Sequence, residues 1–344
     1  MARAWRLRHP GRIVTALRVG IVFEKLGEVP GQGPAPDADA EFEPEETIAL
    51  LEEALSAAGA EPVRLGGPRD LLAHSPAVDA ALNIAEGERG RNREAWAPVL
   101  LEMAGVPCLG SDALTLSLSL DKAWAKDIVR MAGVPVVEQL SLASAEEAKK
   151  ADTPWPYPLF VKPRWEGTAK GITAASKVRD RGELAAAVDR VARLYDQPAL
   201  VEPFLPGAEY TVTIVGHAPP RALPVLQRAL EAETGIGLHA LDRASVVTPA
   251  EGWGHHTPGE LEPALEEVLA RHALAAFDAL RCRDFARADF RLDAAGEPRF
   301  LEINPLPTFA PDGSFGVLAE LEGRPVAQLL GEVFREGLVR LGLL

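Results

Sequence analysis

Four polar side chains near the C-terminal end of the chain are spaced so that they could hold a metal ion beside a bound anion. They lie in residues 284–305, DFARADFRLDAAGEPRFLEINP, which has the pattern of two strands joined by a tight turn. Residues i and i+2 share one face of a strand, so Arg287 and Asp289 share a face of the first strand. Glu302 and Asn304 likewise share a face of the second. If these faces align, three hard oxygen ligands suited to Mg²⁺ and one guanidinium point into the same space. A solvated polar face on an ordinary hairpin would give the same pattern.

Two further stretches carry groups that could bind a nucleotide. Lys162, on a predicted strand, precedes the small-residue loop RWEGTAKG, residues 164–171, whose backbone N–H groups could face anionic oxygens. Further along, Glu202 and Glu209 flank a proline-braced turn and could accept hydrogen bonds from an adenine amine and from ribose hydroxyls. An exposed loop with a snorkelling lysine, and ordinary surface carboxylates, remain the alternatives.

Alternating strands and helices in residues 16–110 predict a parallel sheet, in which ligands bind beyond the carboxyl ends of the strands. The loop NIAEGERG, residues 83–90, follows a predicted strand and therefore lies where a ligand should bind. The irregular stretch 231–253 is typical of a lid or binding loop. The other predicted elements are strands at 159–163, 172–178, 199–203, 209–216 and 221–227, and a helix at 260–280.

Composition narrows the class of protein. The 344-residue chain has a formal net charge of −14, which argues against non-specific nucleic-acid binding. Its two cysteines lack metal-ligand spacing and fit reduced thiols in a cytoplasmic protein. We find no apolar run long enough to span a membrane. The basic start, residues 1–15, lacks a signal-peptide core, and we predict a poorly ordered leader there.

Four segments, in order, resemble the successive motifs of an ATP-grasp enzyme, and the most similar family is that of the D-alanine–D-alanine ligases. The segments are SLDKAWAK, PLFVKPRWEGTAKGI, LVEPFLPGAEYTV and ARADFRLDAAGEPRFLEINPLP. The resemblance implies an α/β fold of three domains, an N-terminal parallel α/β domain and two α+β domains that sandwich ATP. The boundaries it implies are 16–110, 111–203 and 204–344, with the lid at 231–253 and the metal hairpin at 284–305.

The resemblance also implies roles for individual residues. Arg287, Lys162, the lid residue Arg243 and Thr308 would be catalytic. Asp289, Glu302 and Asn304 would bind Mg²⁺, or Mn²⁺ in its place. Residues implied to bind ATP are Lys122, Lys162, Glu166, Gly167, Thr168, Gly171, Glu202, Leu205 and Glu209.

The implied reaction is ATP-dependent formation of a C–N bond. A substrate carboxylate would attack the γ-phosphorus of ATP, and an amine would then displace phosphate from the acyl phosphate. The expected partners are therefore small amino acids or peptides, with no nucleic acid and no membrane, and a homodimer is compatible with the resemblance.

The substrate end departs from the family pattern. The family's motif after the first strand has no match in residues 25–46, and its HGxxGEDG loop is replaced by residues 83–90. Thr168 and Ala169 stand where the family has two serines, and Thr308 stands where it has glycine. We predict substrate contacts from Asn83, Glu86 and Ser314. A ligase for another substrate pair and a non-catalytic nucleotide-binding protein stay open as alternatives.

Overall fold

The computed structural model describes residues 16–28, 34–237 and 261–344, together with the backbone of 256–258. Its N-terminal part is a four-stranded, wholly parallel sheet with the strand order β2-β1-β3-β4, as the alternation predicts. The elements are β1 (Arg18–Val22), α1 (Glu45–Ala57), β2 (Glu61–Gly66), α2 (Pro68–Ala73), β3 (Ala80–Asn83), a 3₁₀ turn (Arg93–Ala95), α3 (Trp96–Met103) and β4 (Cys108–Leu109). The carboxyl end of β3 opens into residues 84–92.

The central part is an antiparallel sheet with the order β5-β8-β6-β7, against which α7 packs. The elements are α4 (Ala113–Leu120), α5 (Lys122–Met131), β5 (Leu140–Leu142), α6 (Ala145–Lys150), β6 (Leu159–Pro163), β7 (Lys177–Val178), α7 (Arg181–Tyr195) and β8 (Ala199–Pro203). The strand predicted over 172–178 is wrong. Ala174–Ser176 forms a 3₁₀ turn because the Thr173 N–H donates to the Ser176 hydroxyl, which leaves only β7 extended.

The C-terminal part is an antiparallel sheet with the order β12-β11-β9-β13-β14, and β10 pairs with β9. The elements are β9 (Glu209–Val215), β10 (Arg221–Ala222), β11 (Leu226–Arg228), β12 (His256–Pro258), α8 (Pro263–Ala279), β13 (Phe285–Leu292), β14 (Pro298–Asn304), α9 (Ser314–Leu321) and α10 (Val326–Arg340). The single strand predicted over 221–227 is in fact two. Pro224 lies between them, and proline cannot donate a ladder hydrogen bond.

The last helix returns to the N-terminal sheet. At Gly331 of α10, an added Cβ would lie 2.9 Å from the Ala57 Cβ of α1, so the two helices pack closely. Phe334 shares one core with Phe285 and with residues of β1. Asp284, just before β13, accepts a hydrogen bond of 2.8 Å from the Gly110 N–H, which fixes the start of the hairpin against the N-terminal part. No helix in the described ranges has the length and apolar character needed to cross a membrane.

Candidate active site

The β13–β14 hairpin aligns its two polar faces. Arg287 pairs with Asn304, and Asp289 pairs with Glu302, in an antiparallel ladder. The register then shifts, because Phe290 pairs with Phe300 and leaves Leu301 as an extra residue. This bulge lets Leu301 and Glu302 both line the same cavity while Phe300 stays in the core. The four polar side chains therefore face one space.

Neighbouring strands complete this polar face. Thr211 on β9 donates a 2.7 Å hydrogen bond to Asp289. Arg287 donates to both oxygens of the same carboxylate, at 3.1 and 3.0 Å. Glu209, also on β9, lies opposite Arg291 of β13 and Arg228 of β11. Charges of both signs thus alternate across the sheet.

Two lysines from other elements reach this face. Lys122 Nζ, at the start of α5, lies 3.2 Å from Glu302 and also donates to the Glu166 carbonyl. Burial would raise the pKa of Glu302, but Lys122, Lys162 and the Arg287 guanidinium hold it at about 2. Glu302 is therefore a fixed negative charge at neutral pH.

The second lysine, Lys162 of β6, lies 3.2 Å from Glu202, which also pairs with the fully buried Lys126. Burial raises the pKa of a carboxyl, yet the two ammonium groups hold that of Glu202 below its usual value. Burial lowers the pKa of Lys126 to about 8. Sequence reasoning omitted Lys126, although it lies four residues after Lys122, on the same helical face.

A cavity of about 410 Å³ lies between these elements. Most of the residues predicted from the sequence line it: Glu86, Lys122, Lys162, Gly167, Thr168, Glu202, Leu205, Glu209, Arg287, Asp289, Glu302, Asn304 and Thr308. Arg243 lies outside the described residues, as does most of the predicted lid.

The loop predicted to cover phosphates is held in an uncommon backbone conformation. Thr168 and Ala169 have φ angles of 50° and 58°, and Gly171 has φ 76°. Consecutive left-handed residues other than glycine are strained and persist where surrounding contacts enforce them. Ala169 packs with Ile236, which is 2% exposed, so the missing hydroxyl at 169 is replaced by an apolar contact to the first part of the predicted lid.

The segment before α1 supplies those enforcing contacts. Glu41 accepts hydrogen bonds from the Gly167 N–H at 3.0 Å and from Lys170 at 2.9 Å. Asp37 accepts a 2.8 Å hydrogen bond from the Gly171 N–H. Sequence reasoning found no match for this segment and missed both acids, because their partners lie well over a hundred residues away.

Arg93 connects this segment to the loop 83–92. Its guanidinium, 2% exposed, donates to Glu41 at 2.6 Å and to Glu166 at 3.3 Å. The Glu166 carboxylate also pairs with Lys170 at 2.6 Å. Glu166 therefore lies in an ion-pair network behind the cavity and does not line it.

Two carboxyls of the same region remain without hydrogen-bond donors. Glu86 and Glu94 both line the cavity, and neither accepts a hydrogen bond from a described residue; Glu94 is 7% exposed and lies 3.8 Å from Arg93. Burial raises the pKa of Glu94 to about 7, and burial together with the nearby Glu41 charge raises that of Glu86 well above its usual value. A cationic ligand group would provide the missing partner.

Two predicted substrate residues are placed differently. The Asn83 amide bonds to Ala85, at 3.1 and 3.3 Å, and does not line the cavity. Ser314 is the first residue of α9, and its buried hydroxyl has no hydrogen-bond partner within the ranges that the structure describes. The preceding Asp312 and Gly313 do line the cavity.

The polar face has oxygen atoms that suit a magnesium ion whose remaining ligands are water and the phosphates of a nucleotide. Asp289 and Glu302 face each other in the ladder, and Asn304, opposite Arg287, brings an amide oxygen to the same face, while its amide nitrogen finds no hydrogen-bond partner among the described residues. Across the described ranges, no three His, Cys, Asp or Glu side chains converge as a metal site. Mg²⁺ commonly takes one or two carboxylates and completes its shell with water and substrate phosphates.

Comparisons with known proteins agree with this geometry. Residues 128–335 match the family described as "D-ala D-ala ligase C-terminus". The D-alanine–D-alanine ligase of Stutzerimonas stutzeri is 31% identical over 288 residues, covering 83% of this chain and 86% of that protein. This chain belongs to the D-alanine–D-alanine ligase family. It is therefore an ATP-dependent, ADP-forming ligase of small amino acids with the ATP-grasp fold, as the motifs indicate.

One further relative and two solved structures are also similar to this chain. The uncharacterized protein y4sG of Sinorhizobium fredii is 31% identical over 267 residues, 77% of this chain and 76% of that protein. Among solved structures, the VanG D-Ala:D-Ser ligase of Enterococcus faecalis has a TM-score of 0.72 at 20% identity, covering 94% of this chain and 100% of that one. The Bacillus anthracis D-alanine–D-alanine ligase complexed with ATP has a TM-score of 0.70 at 22% identity, covering 95% and 98%. These two likenesses support the fold.

Proposed function

We propose that this ligase joins two amino acids through an acyl phosphate, with D-alanine as the first substrate to test. The observation that carries the proposal is the aligned face of Arg287, Asp289, Glu302 and Asn304 beside Lys122. It concentrates positive charge and metal-binding oxygens at one wall of a cavity large enough for a nucleotide.

The residues of this wall suit a reaction in which every species is anionic. The substrate carboxylate attacks the γ-phosphorus of ATP, and ADP leaves. Lys162 and Arg287 stabilise the charge that develops on the transferred phosphoryl group and on the tetrahedral intermediate that follows. A bound Mg²⁺, held by Asp289, Glu302 and Asn304, would neutralise phosphate charge there.

Water must be kept away, because acyl phosphates hydrolyse. Ile236 packs the start of the 231–253 segment onto Ala169 and Phe204, which supports its assignment as a lid. We propose that this lid closes over the cavity and that Arg243 lies within it. The Thr308 backbone N–H is proposed to face the oxyanion.

The amino-acid end of the cavity supports a modified substrate site. Glu41 accepts hydrogen bonds from both Arg93 and Lys170, whereas Glu86 and Glu94 accept none from the described residues, and the nearest cation to Glu94, Arg93, lies 3.8 Å away. We assign the substrate ammonium to Glu86 and Glu94 and the carboxylate of the second substrate to the region of Ser314. Because this arrangement replaces the family's motif, a ligase for a different amino-acid pair is the second candidate.

The test is ADP and phosphate release over a panel of D- and L-amino acids, with product masses. Release with D-alanine and a dipeptide mass support the default pair, and release only with another pair supports the second candidate. Glu302→Gln should abolish turnover. Glu297→Gln, in the exposed turn of the same hairpin, is the matched control and should not. Unchanged turnover in Glu302→Gln would refute the metal assignment, and no release with any pair would favour a non-catalytic nucleotide-binding protein.

The proposal also covers the cellular location and the oligomeric state of the protein. We propose a cytoplasmic location, where amino acids and ATP are available and the free thiols of Cys108 and Cys282 remain reduced. We also propose a homodimer, which light scattering of the purified protein tests directly.

A further inference from the structure

Arg228 has no role in the site described so far, yet it is a buried cation that faces the cavity. It is the last residue of β11 and is 4% exposed. Among the described residues its guanidinium has no hydrogen-bond acceptor, and its Nε is buried. A guanidinium carries five N–H donors, and leaving buried donors unpaired is costly.

The nearest acids do not satisfy it. Asp289 lies 3.6 Å away and Glu209 lies 3.8 Å away, both beyond hydrogen-bond distance. The oxygens of Asp289 already accept from Thr211 and Arg287. Glu209 accepts from Arg291 at 3.4 Å. Arg228 therefore keeps donors that an anion in the cavity could use.

The position of Arg228 indicates which anion. It lies within 4 Å of both Glu209 and Asp289. On the proposed function, on which this inference rests, Glu209 holds the ribose and Asp289 lies at the metal end. A phosphate chain that runs from ribose to metal passes the guanidinium, and its first phosphate comes nearest because Arg228 is the direct strand partner of Glu209.

We propose that Arg228 is a nucleotide-binding residue that donates hydrogen bonds to the phosphate group attached to the ribose. Its planar fork can hold two phosphate oxygens, and it adds a positive charge beside Glu209, on a strand that carries none of the lysines of the site. Arg228 therefore acts in nucleotide binding, whereas Arg287 acts at the transferred group.

Calorimetric binding of adenosine, AMP and ADP, first with EDTA and then with Mg²⁺, tests the inference. Arg228→Met should leave adenosine affinity unchanged and weaken AMP and ADP by about 10- to 100-fold. Arg228→Lys, which keeps the charge, should bind AMP and ADP with affinities between those of the wild type and Arg228→Met. Arg299→Met, on the same sheet but paired with Asp293 outside the cavity, is the matched control and should bind all three normally.

Three other binding results would overturn the inference, and a fourth would refute the proposed function. An equal loss for adenosine means that Arg228 only positions Glu209, and a loss for ADP without one for AMP places it at a later phosphate; either overturns the inference. Unchanged binding in Arg228→Met overturns it as well. A wild-type protein that binds no nucleotide refutes the proposed function instead.

Discussion

Glu41→Gln should loosen the loop predicted to cover the phosphates. The Glu41 side chain is 3% exposed and joins Arg93, Lys170 and the Gly167 N–H across two parts of the chain. The amide keeps the shape but removes the charge, so two buried cations then share only Glu166. Breaking a buried ion pair by removing one partner costs about 3–5 kcal/mol, and the surviving Glu166 contacts favour the lower end, roughly 3 kcal/mol.

Denaturant unfolding and ATP kinetics together test this expectation. The free energy of unfolding should fall by about that amount, and the KM for ATP should rise because the loop loses its attachment. Glu53→Gln, exposed on α1, is the control and should change neither. In the double variant Glu41→Gln/Lys170→Met, Glu166 no longer has to pair with two buried cations and is left to Arg93, so part of the stability should return. Additive losses, or a Glu41→Gln variant as stable as the control, would refute the reasoning.

Three further predictions concern the cavity and the loop beside it. Gly171→Ala should destabilise by about 2–4 kcal/mol, since its Cβ would lie 2.5 Å from Pro163; Gly105→Ala, with a similar φ but nothing within 4 Å, should cost only about 1 kcal/mol in unfolding experiments. Ile236→Ala should raise ADP-forming hydrolysis without an amine acceptor, because the lid start loses its apolar contact; unchanged hydrolysis would argue against closure there. The KM for the ammonium substrate should fall about tenfold between about pH 6 and 8 as Glu94 ionises, and Glu94→Gln should remove the part of this dependence that is centred near pH 7.

The raised pKa of Glu94 also makes the stability of the folded protein depend on pH. The pKa in the folded protein, about 7, exceeds the usual 4.5, so the folded state holds the proton more tightly than the unfolded chain. Stability should therefore decrease as the pH rises from about 4.5 to 7. Glu94→Gln should be more stable than wild type above pH 7, and equal stabilities there would contradict the raised pKa.

The metal hairpin could be predicted from the sequence because its information is local. A period of two residues and a short turn determine which side chains share a face, and the observed pairs Arg287–Asn304 and Asp289–Glu302 follow that rule. The bulge at Leu301 could not be predicted, since one extra residue leaves no distinct pattern in so short a strand.

Residues whose partners lie far away in the sequence could not be predicted as site residues from the sequence alone. Glu41 meets Gly167, which is 126 residues away, and no local periodicity reports such a contact. Arg228 was missed for a simpler reason. The strand predicted over 221–227 ended one residue before it, whereas the break at Pro224 starts a new strand that carries Arg228 into the site.

Four carboxylates of the cavity form two contrasting pairs according to what surrounds them. Glu41 and Glu302 each lie among two or more cations, and both keep a pKa of about 2. Both remain charged whether or not a ligand is bound. A constant charge suits the roles given to them, in which Glu41 holds the loop and Glu302 holds the metal. Glu86 and Glu94 have raised pKa values and no hydrogen-bond donor in the described part of the chain, so their charge depends on the ligand. Substrate specificity in this ligase should therefore depend on the second pair, while nucleotide chemistry depends on the first.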